Sequence, residues 1–222
     1  MLSRPLKRRL RTLRDRLRLN LRGYGAITGY LAIDGWLKIG EATRLFDLAR
    51  ALPGPAPVVV EIGSWLGKST VVLGRALERF PGAKLYCIDP FNADGDEFSK
   101  PTYAARSAAA GGTLLDRFKA NLARNRVRTE VIPLPGYSHD VAPGFQHQID
   151  FLFIDGNHAY DAVRRDFLDW TPKVRRGGVI AFHDVGRSNS PGPLQVLEEL
   201  IKGRPAFRNQ AQVDSLYHLT KA

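Results

Sequence analysis

The sequence predicts a doubly wound α/β fold, in which helices cover both faces of a mostly parallel β-sheet. Its 222 residues are enough for one domain with a substantial core. Short runs of β-branched and aromatic residues alternate with longer amphipathic stretches, and the short runs are apolar at nearly every position. Strands that are apolar on both faces are typical of a parallel sheet between two layers of helices.

The composition narrows the class of protein. Hydrophobic residues make up 44% of the chain and charged residues 25%, values that exclude a disordered or collagen-like chain. The sequence contains no stretch of about 18 uncharged apolar residues, so no segment is predicted to span a bilayer as a helix. The single cysteine, Cys87, cannot form an internal disulfide, and we therefore expect a reducing compartment, the cytoplasm.

The first 22 residues form a basic arm. They contain nine basic residues and one acidic residue, and so carry +8 of the formal net charge of +11. Leucines recur in this arm at steps of three or four residues, which predicts an amphipathic helix with arginines on its other face. These leucines are Leu2, Leu6, Leu10, Leu13, Leu17 and Leu21.

Three interpretations of this arm remain open. The helix would lie on an anionic membrane surface, would bind nucleic acid, or would dock its leucines on the domain or on a second subunit. Nucleic acid is the least favoured partner, because the other 200 residues have nearly balanced charges. The sequence is therefore compatible with a peripheral membrane location and with a homo-oligomer.

A cover segment is expected between the arm and the sheet. Residues 23–35 contain four glycines without a clean period and are predicted to form a loop or a short irregular cover. Apolar spacing from Trp36 to Leu52 predicts a helix, which the proline-rich run after it ends abruptly. The predicted organisation is a helical arm over 1–22, a cover over 23–57 and a catalytic domain over 58–222.

Five strands and four helices are predicted to alternate after this boundary. The strands are Val58–Ile62, Leu85–Ile88, Thr129–Leu134, Phe151–Ile154 and Val179–Phe182, and the helices are Lys68–Phe80, Leu114–Arg124, Tyr160–Trp170 and Pro193–Ile201. The polar, glycine-containing segment Asn92–Gly112 is predicted to be a mobile lid. Ligands of such sheets bind at the carboxyl ends of the strands, so functional residues are expected in the loops that follow them.

Two of these loops have the composition of a nucleoside site. The first strand runs into a glycine-rich turn, in which Gly63 and Gly67 allow close approach to a ligand and the next helix offers unpaired N–H groups. The second strand is followed by Asp89, 26 residues beyond Gly63, where a carboxylate can accept hydrogen bonds from ribose hydroxyls.

A phosphate-binding loop is the main alternative for the first turn. The segment from Gly63 to Ser69 resembles a Walker A loop, but it has three residues between its first glycine and Gly67, where that loop needs four. The bulky Trp65 and the acidic Glu61 also disfavour phosphates. A P-loop-like nucleotide hydrolase and a non-catalytic membrane- or partner-binding domain are kept as alternatives.

Four segments together resemble the class I S-adenosylmethionine-dependent methyltransferases in order and spacing. They are Val59–Gly67, Ile88–Asp89, Ile149–Gly156 and Gly177–Ala181, and the resemblance extends over about residues 40 to 220. It implies a seven-stranded Rossmann-like sheet and S-adenosylmethionine as the methyl donor. The donor-binding residues that it implies are Glu61, Gly63, Ser64 and Gly67 around the methionine end, Asp89 at the ribose, Ser138 near the adenine, and Asp155.

Two of the strand ends resemble a particular branch of this family, the metal-dependent O-methyltransferases, which includes enzymes of sugar hydroxyls in bacterial natural products. The resemblance rests on the segments Phe153–Tyr160 and Val179–Asp184, and it implies a small-molecule, glycan or lipid-linked hydroxyl as acceptor. If the fourth and fifth strands are neighbours, Asp155 and Asp184 converge and suit Mg²⁺. His158 matches the position of the general base in this branch.

His183 departs from the pattern of that branch, which has two adjacent carboxylates where this sequence has His183-Asp184. The imidazole would ligate a softer ion, act as a second base, or hydrogen-bond Asp155. The predicted catalytic residues are Asp155, His158 and His183. Three other acidic residues, Asp161, Asp166 and Asp169, are expected on the solvated face of a helix.

Overall fold

The computed structural model describes residues 4–95, 100–108 and 112–222, which form one seven-stranded sheet with helices on both faces. The strands are β1 (Val58–Ile62), β2 (Lys84–Asp89), β3 (Glu130–Pro135), β4 (Ile149–Ile154), β5 (Val174–Phe182), β6 (Phe207–Val213) and β7 (Leu216–Lys221). The α-helices are α1 (Arg4–Leu21), α2 (Ile39–Arg50), α3 (Lys68–Leu77), α4 (Lys100–Ala108), α5 (Leu114–Arg124), α6 (Ser138–Val141), α7 (Tyr160–Trp170) and α8 (Gly192–Leu200). Within the described ranges, three 3₁₀ helices cover Gly25–Ala32, Ala142–Gly144 and Thr171–Lys173.

The strand order is β3-β2-β1-β4-β5-β7-β6, and the predicted doubly wound fold is confirmed. Strands β1 to β5 are parallel, while β7 runs antiparallel to both of its neighbours. The chain leaves β1 toward β2 and β3, then returns to place β4 on the other side of β1. This reversal opens a crevice at the carboxyl ends of β1 and β4, where ligands of such sheets bind.

Side chains of each central strand alternate between two cores. In β4, Phe151 and Phe153 point into one buried cluster, and Leu152 and Ile154 point into the other. Because neither face of β4 meets water, all four positions are apolar, as expected of a central strand in a parallel sheet. The candidate site described below lies at the carboxyl ends of these buried central strands.

The hairpin of β6 and β7 was not among the strands predicted from the residues. Its outer strand has the sequence FRNQAQV and is exposed at its five central positions, so it lacks the apolar alternation that signals a strand. Other differences concern boundaries: β5 begins at Val174 rather than Val179, and the helix after β1 ends at Leu77 rather than Phe80.

Two segments for which no helix was predicted contain one. The segment 23–35, predicted to be a loop or a short irregular cover, includes the 3₁₀ helix Gly25–Ala32, in which Ile27 and Tyr30 are fully buried. The predicted lid over Asn92–Gly112 contains α4, and its residues 96–99 and 109–111 lie outside the described residues. Among the described residues, no helix is both long and apolar enough to cross a bilayer.

Candidate active site

The turn after β1 approaches the end of β4 so closely that only glycine fits. Gly63 has a φ of +89°, and a Cβ on it would lie 2.1 Å from the carbonyl oxygen of Asp155. Gly67 has a φ of +81° at the N-cap of α3, and a Cβ there would lie 3.0 Å from the Phe118 ring. The two glycines serve the packing of this turn, and Gly67 lines neither of the two cavities described below.

Glu61 lies beneath the turn and lines neither of the two cavities described below. Its Oε2 accepts hydrogen bonds from Ser64 Oγ at 2.8 Å and from Thr70 Oγ1 at 2.5 Å. The carboxyl group is fully buried, and burial raises its pKa although these hydroxyls oppose the shift. Glu61 and Ser64 therefore fix the shape of the turn. Ser64, unlike Glu61, lines the smaller of the two cavities.

The larger cavity, about 290 Å³, lies at the carboxyl ends of β1 and β2 and beside β4. Asp89 lines it: its Oδ2 accepts from the Trp65 N–H at 2.8 Å and its Oδ1 from the Phe91 N–H at 2.7 Å. Burial raises the pKa of Asp89, and the two N–H groups act against this shift. Each oxygen keeps a lone pair with which it can accept from a ligand hydroxyl.

A second acid, Asp166, is buried and also lines this larger cavity. Ser138 Oγ donates a hydrogen bond to Asp166, and both residues line the cavity. Asp166 was expected on the solvated face of α7, but it is 5% exposed and burial raises its pKa to about 7. Asp161 is exposed and Asp169 half-buried, so the expected solvated face of α7 holds Asp161 but not Asp166.

The smaller cavity, about 130 Å³, lies next to the larger one and contains the predicted acid and histidine residues. Three aromatic side chains form one wall: the ring centroids of Trp36 and Trp65 lie 5.7 Å apart in a stacked arrangement, and those of Trp65 and Tyr103 lie 5.1 Å apart. Gly63, Trp65, Tyr103 and Asp155 line both cavities. Asp155 therefore stands at the boundary between them.

The ends of β4 and β5 bring the predicted residues together, because these two strands are neighbours in the sheet. His158 Nε2 lies 3.3 Å from Asp184 Oδ2 and 4.0 Å from Asp155 Oδ1. Arg187 Nε lies 2.8 Å from Asp184 Oδ1. Asp184 has a φ of +57°, a strained value for a non-glycine residue and one that is common at functional sites.

His183 links this cluster to a glutamate that the sequence analysis missed. Its Nδ1 lies 3.0 Å from Asp155 Oδ1 and 3.2 Å from Asp184 Oδ1, and its Nε2 lies 3.2 Å from Glu41 Oε2. Glu41 Oε1 accepts from both the N–H and the Oγ of Ser215. Of the three roles left open for His183, the structure shows the hydrogen bond to Asp155.

The charges of Asp155, His183 and Glu41 stabilise one another. Burial alone would lower the pKa of His183, but the carboxylates of Asp155 and Glu41 raise it well above its usual range. Burial would likewise raise the pKa of Glu41, but the hydrogen bond and charge of His183 lower it to about 2. The carboxylates of Asp155 and Glu41 on either side of His183 thus favour its imidazolium form.

Three residues of the site were not found from the sequence, and of these Glu41 and Tyr103 left a signal in it. Glu41 lies four residues before Leu45 on the apolar face of α2, and an acid on a buried face requires a partner. Trp36 is 41% exposed, which is unusual for tryptophan. Tyr103 lies in α4, inside the segment that was predicted to be a lid.

Comparisons with solved structures agree with this architecture. The O-methyltransferase NovP superposes with a TM-score of 0.64 at 17% identity, over 83% of this chain and 80% of that one. The O-methyltransferase from Bacillus cereus, solved in complex with SAH, superposes with a TM-score of 0.59 at 20% identity, over 95% of this chain and 90% of that one. At these identities the likeness concerns the fold.

Sequence comparisons identify the family. The uncharacterized protein y4gI from Sinorhizobium fredii is 39% identical over 60 residues, which is 27% of this chain and only 7% of that protein. The family model described as "Methyltransferase domain" matches residues 60–185, a range that contains Gly63, Asp89, Asp155, His158 and Asp184. With the seven-stranded sheet and its strand-end site, this match shows that the chain belongs to the methyltransferase domain family.

Proposed function

We propose that this protein transfers a methyl group from S-adenosylmethionine to a hydroxyl oxygen of a small molecule or glycan. The observation that carries the proposal is the pair of adjoining cavities that meet at Asp155. Asp89, the predicted ribose ligand, lines one cavity, and a cluster of carboxylates and imidazoles lines the other. A donor and an acceptor bound in the two cavities would meet at their boundary.

The larger cavity suits a cationic nucleoside without phosphates. Asp89 and Asp166 both line it and supply oxygen acceptors, and the exposed Asp94 also lines it. The sulfonium of S-adenosylmethionine is positively charged, so carboxylates in and beside the cavity favour it, whereas they would repel a nucleotide. Ser138, which is predicted to lie near the adenine, lines this cavity together with Asp166.

The smaller cavity supplies the groups that would activate a hydroxyl. His158 accepts the proton of the acceptor hydroxyl, and Asp184, 3.3 Å away, orients its ring. The oxygen then forms a bond to the donor methyl carbon while the bond from that carbon to sulfur breaks. Trp36 and Trp65 offer flat apolar surfaces beside these polar groups, which suits an acceptor with a ring.

The residues also fit a divalent cation. Asp155, His158 and Asp184 each offer one ligand atom, and these atoms lie within 4.8 Å of one another. Asp155 and Asp184 would hold the ion, which, when bound, would lower the pKa of a coordinated hydroxyl. His183 already hydrogen-bonds one of these carboxylates, so we expect weak ion binding. Mg²⁺ stays a prediction.

The names of the neighbours support oxygen as the acceptor atom. NovP and the Bacillus cereus protein are both described as O-methyltransferases, and the second was solved with SAH, the demethylated form of the proposed donor. The acceptor molecule and a location in the cytoplasm remain predictions.

Isothermal titration calorimetry with S-adenosylmethionine, S-adenosylhomocysteine and ATP tests the proposed donor. We expect binding of the first two and none of ATP, with or without Mg²⁺. Binding of ATP alone would favour the P-loop-like alternative, and binding of none would favour a non-catalytic domain.

Chelation tests the cation. Turnover of hydroxyl acceptors would be compared before and after exhaustive treatment with EDTA and after back-addition of Mg²⁺ or Mn²⁺. We expect EDTA to abolish turnover and an ion to restore it, with donor affinity unchanged. Full activity after chelation would contradict the role of the cation and leave proton removal to His158 alone.

With or without a cation, Asp155→Asn is expected to lower turnover at least 100-fold while donor affinity stays within a few fold.

A further inference from the structure

We propose that α1 binds the surface of an anionic membrane, lying in the plane of the headgroups with its leucine stripe toward the lipid. Five leucines form this stripe on the described part of the helix, and their exposed fractions are 41% for Leu6, 47% for Leu10, 60% for Leu13, 59% for Leu17 and 78% for Leu21. The inference does not depend on the methyltransferase activity.

The stripe faces away from the domain. Successive residues of an α-helix lie about 100° apart, which places Leu19 about 160° from the centre of the stripe. Leu19 is fully buried and belongs to the same apolar core as Ile27 and Tyr30. The helix is thus fixed to the domain by one face near its C-terminal end, and the stripe is presented on the opposite face.

Arginines border the stripe on both sides. By the same helical geometry, Arg9 and Arg16 lie on one border and Arg14 and Arg18 on the other, about 60 to 100° from its centre. All four side chains are exposed. Their aliphatic stems can lie along lipid while the guanidinium groups reach phosphates, which is the arrangement of interfacial helices.

The charge favours an anionic membrane over the other two partners. Residues 1–22 carry nine basic side chains against Asp15, which is itself buried and pairs with Arg11 and Arg14. A second copy packed on the leucines would bring two such arms together, and their charges would repel. Nucleic acid would neutralise the arginines but would leave the leucines in water. An anionic bilayer matches both the charge and the apolar stripe.

The test is sedimentation of the full-length chain with vesicles. Phosphatidylglycerol–phosphatidylcholine vesicles would be compared with phosphatidylcholine vesicles, at low salt and at 0.5 M salt. We expect binding to the anionic vesicles only, weakened at least 10-fold by high salt. Removal of the arm is a poor variant because it deletes the buried Leu19, so substitutions at exposed positions are used instead.

Two variants separate the contributions of the leucines and the arginines. The triple variant Leu10→Gln, Leu13→Gln, Leu17→Gln should lose binding at least 10-fold, and so should Arg9→Gln, Arg16→Gln, Arg18→Gln. The matched control is Leu168→Gln on α7, a leucine that is 43% exposed, and it should bind as the parent does. Circular dichroism and thermal unfolding verify that each variant folds.

Four results would overturn the proposal. The first is an intact chain that ignores anionic vesicles at low salt, a result that needs no variant. The second is unchanged vesicle binding by the leucine variant. The third is a concentration-dependent dimer that the leucine variant abolishes, without vesicle binding by the parent. The fourth is tight binding of duplex DNA in place of vesicles.

Discussion

His183 Nε2 lies 3.2 Å from Glu41 Oε2, although 142 residues separate the two in the chain. Glu41 belongs to α2, which precedes the sheet, and His183 follows β5. Both side chains are nearly or fully buried. The N-terminal cover therefore reaches into the candidate site and orients the imidazole that hydrogen-bonds Asp155. Glu41 is a positioning residue for this cluster.

Glu41→Gln should lower kcat about 10-fold or more, because the amide keeps the shape of the side chain but removes the charge that holds the His183 imidazolium. Donor affinity should change less than 3-fold, since Glu41 does not line the larger cavity. Stability should fall by about 1 to 3 kcal/mol, the usual effect of weakening a buried charged hydrogen bond. Steady-state kinetics, calorimetry and urea unfolding measure the three effects.

Glu78→Gln is the matched control for this substitution. Glu78 also has a lowered pKa, here because of Arg128 and Arg75, but it lines neither cavity. This variant should keep kcat within 2-fold of the parent. If Glu41→Gln also keeps kcat within 2-fold, Glu41 serves folding alone.

Gly63→Ala should destabilise the fold by at least about 3 kcal/mol. The added methyl carbon would lie 2.1 Å from the Asp155 carbonyl oxygen, so β1 and β4 must separate at the site. Gly54→Ala is the control: its φ of +79° is similar, but the space around it is open. Its cost should be about 1 kcal/mol, from backbone strain alone. Equal unfolding midpoints for the two variants would contradict the close approach.

The central sheet could be predicted from the sequence because its strands are apolar on both faces. The bounds of β1 and of the helices Leu114–Arg124 and Tyr160–Trp170 match the structure residue for residue. The β6–β7 hairpin could not be predicted in this way, because β6 is an edge strand with polar, exposed residues. A strand of this kind is held by pairing with β7 rather than by its own hydrophobic pattern.

The part of the site that follows strand ends was also predictable. The sequence predicts that Asp155 and Asp184 converge if the fourth and fifth strands are neighbours, and the structure shows that they are. Local patterns could not place Glu41, because its partner His183 is distant in sequence. The burial of Asp166 was missed for a related reason: its surroundings include Ser138, which another part of the chain supplies.

Asp89→Ala should weaken S-adenosylmethionine binding by about 10- to 100-fold. The expected loss is about 1.5 to 3 kcal/mol, from the removal of charged hydrogen bonds to the ribose hydroxyls. Calorimetry measures the affinity, and thermal unfolding accounts for the two backbone N–H groups that Asp89 also binds. Asp161→Ala, an exposed position on α7, should leave the affinity unchanged. Unaltered affinity in Asp89→Ala would contradict the ribose assignment.

Asp166 should make the stability of the protein depend on pH. Burial raises its folded-state pKa from 3.8 to about 7, so between these values the folded protein holds a proton that the unfolded chain releases. The free energy of unfolding must then fall as pH rises. The contribution of this group is complete below pH 3.8 and is lost as pH passes through about 7.

Asp166→Asn removes this titration, because the amide resembles the protonated acid and does not ionise. Urea unfolding without donor, at pH values from 5 to 8, should show the parent losing roughly 2 to 3 kcal/mol more stability than the variant over this range. Asp161→Asn, on the same helix but exposed, should follow the parent curve. Parallel curves for the parent and Asp166→Asn would mean that Asp166 is ionised throughout, held by Ser138 and by water in the cavity that both residues line.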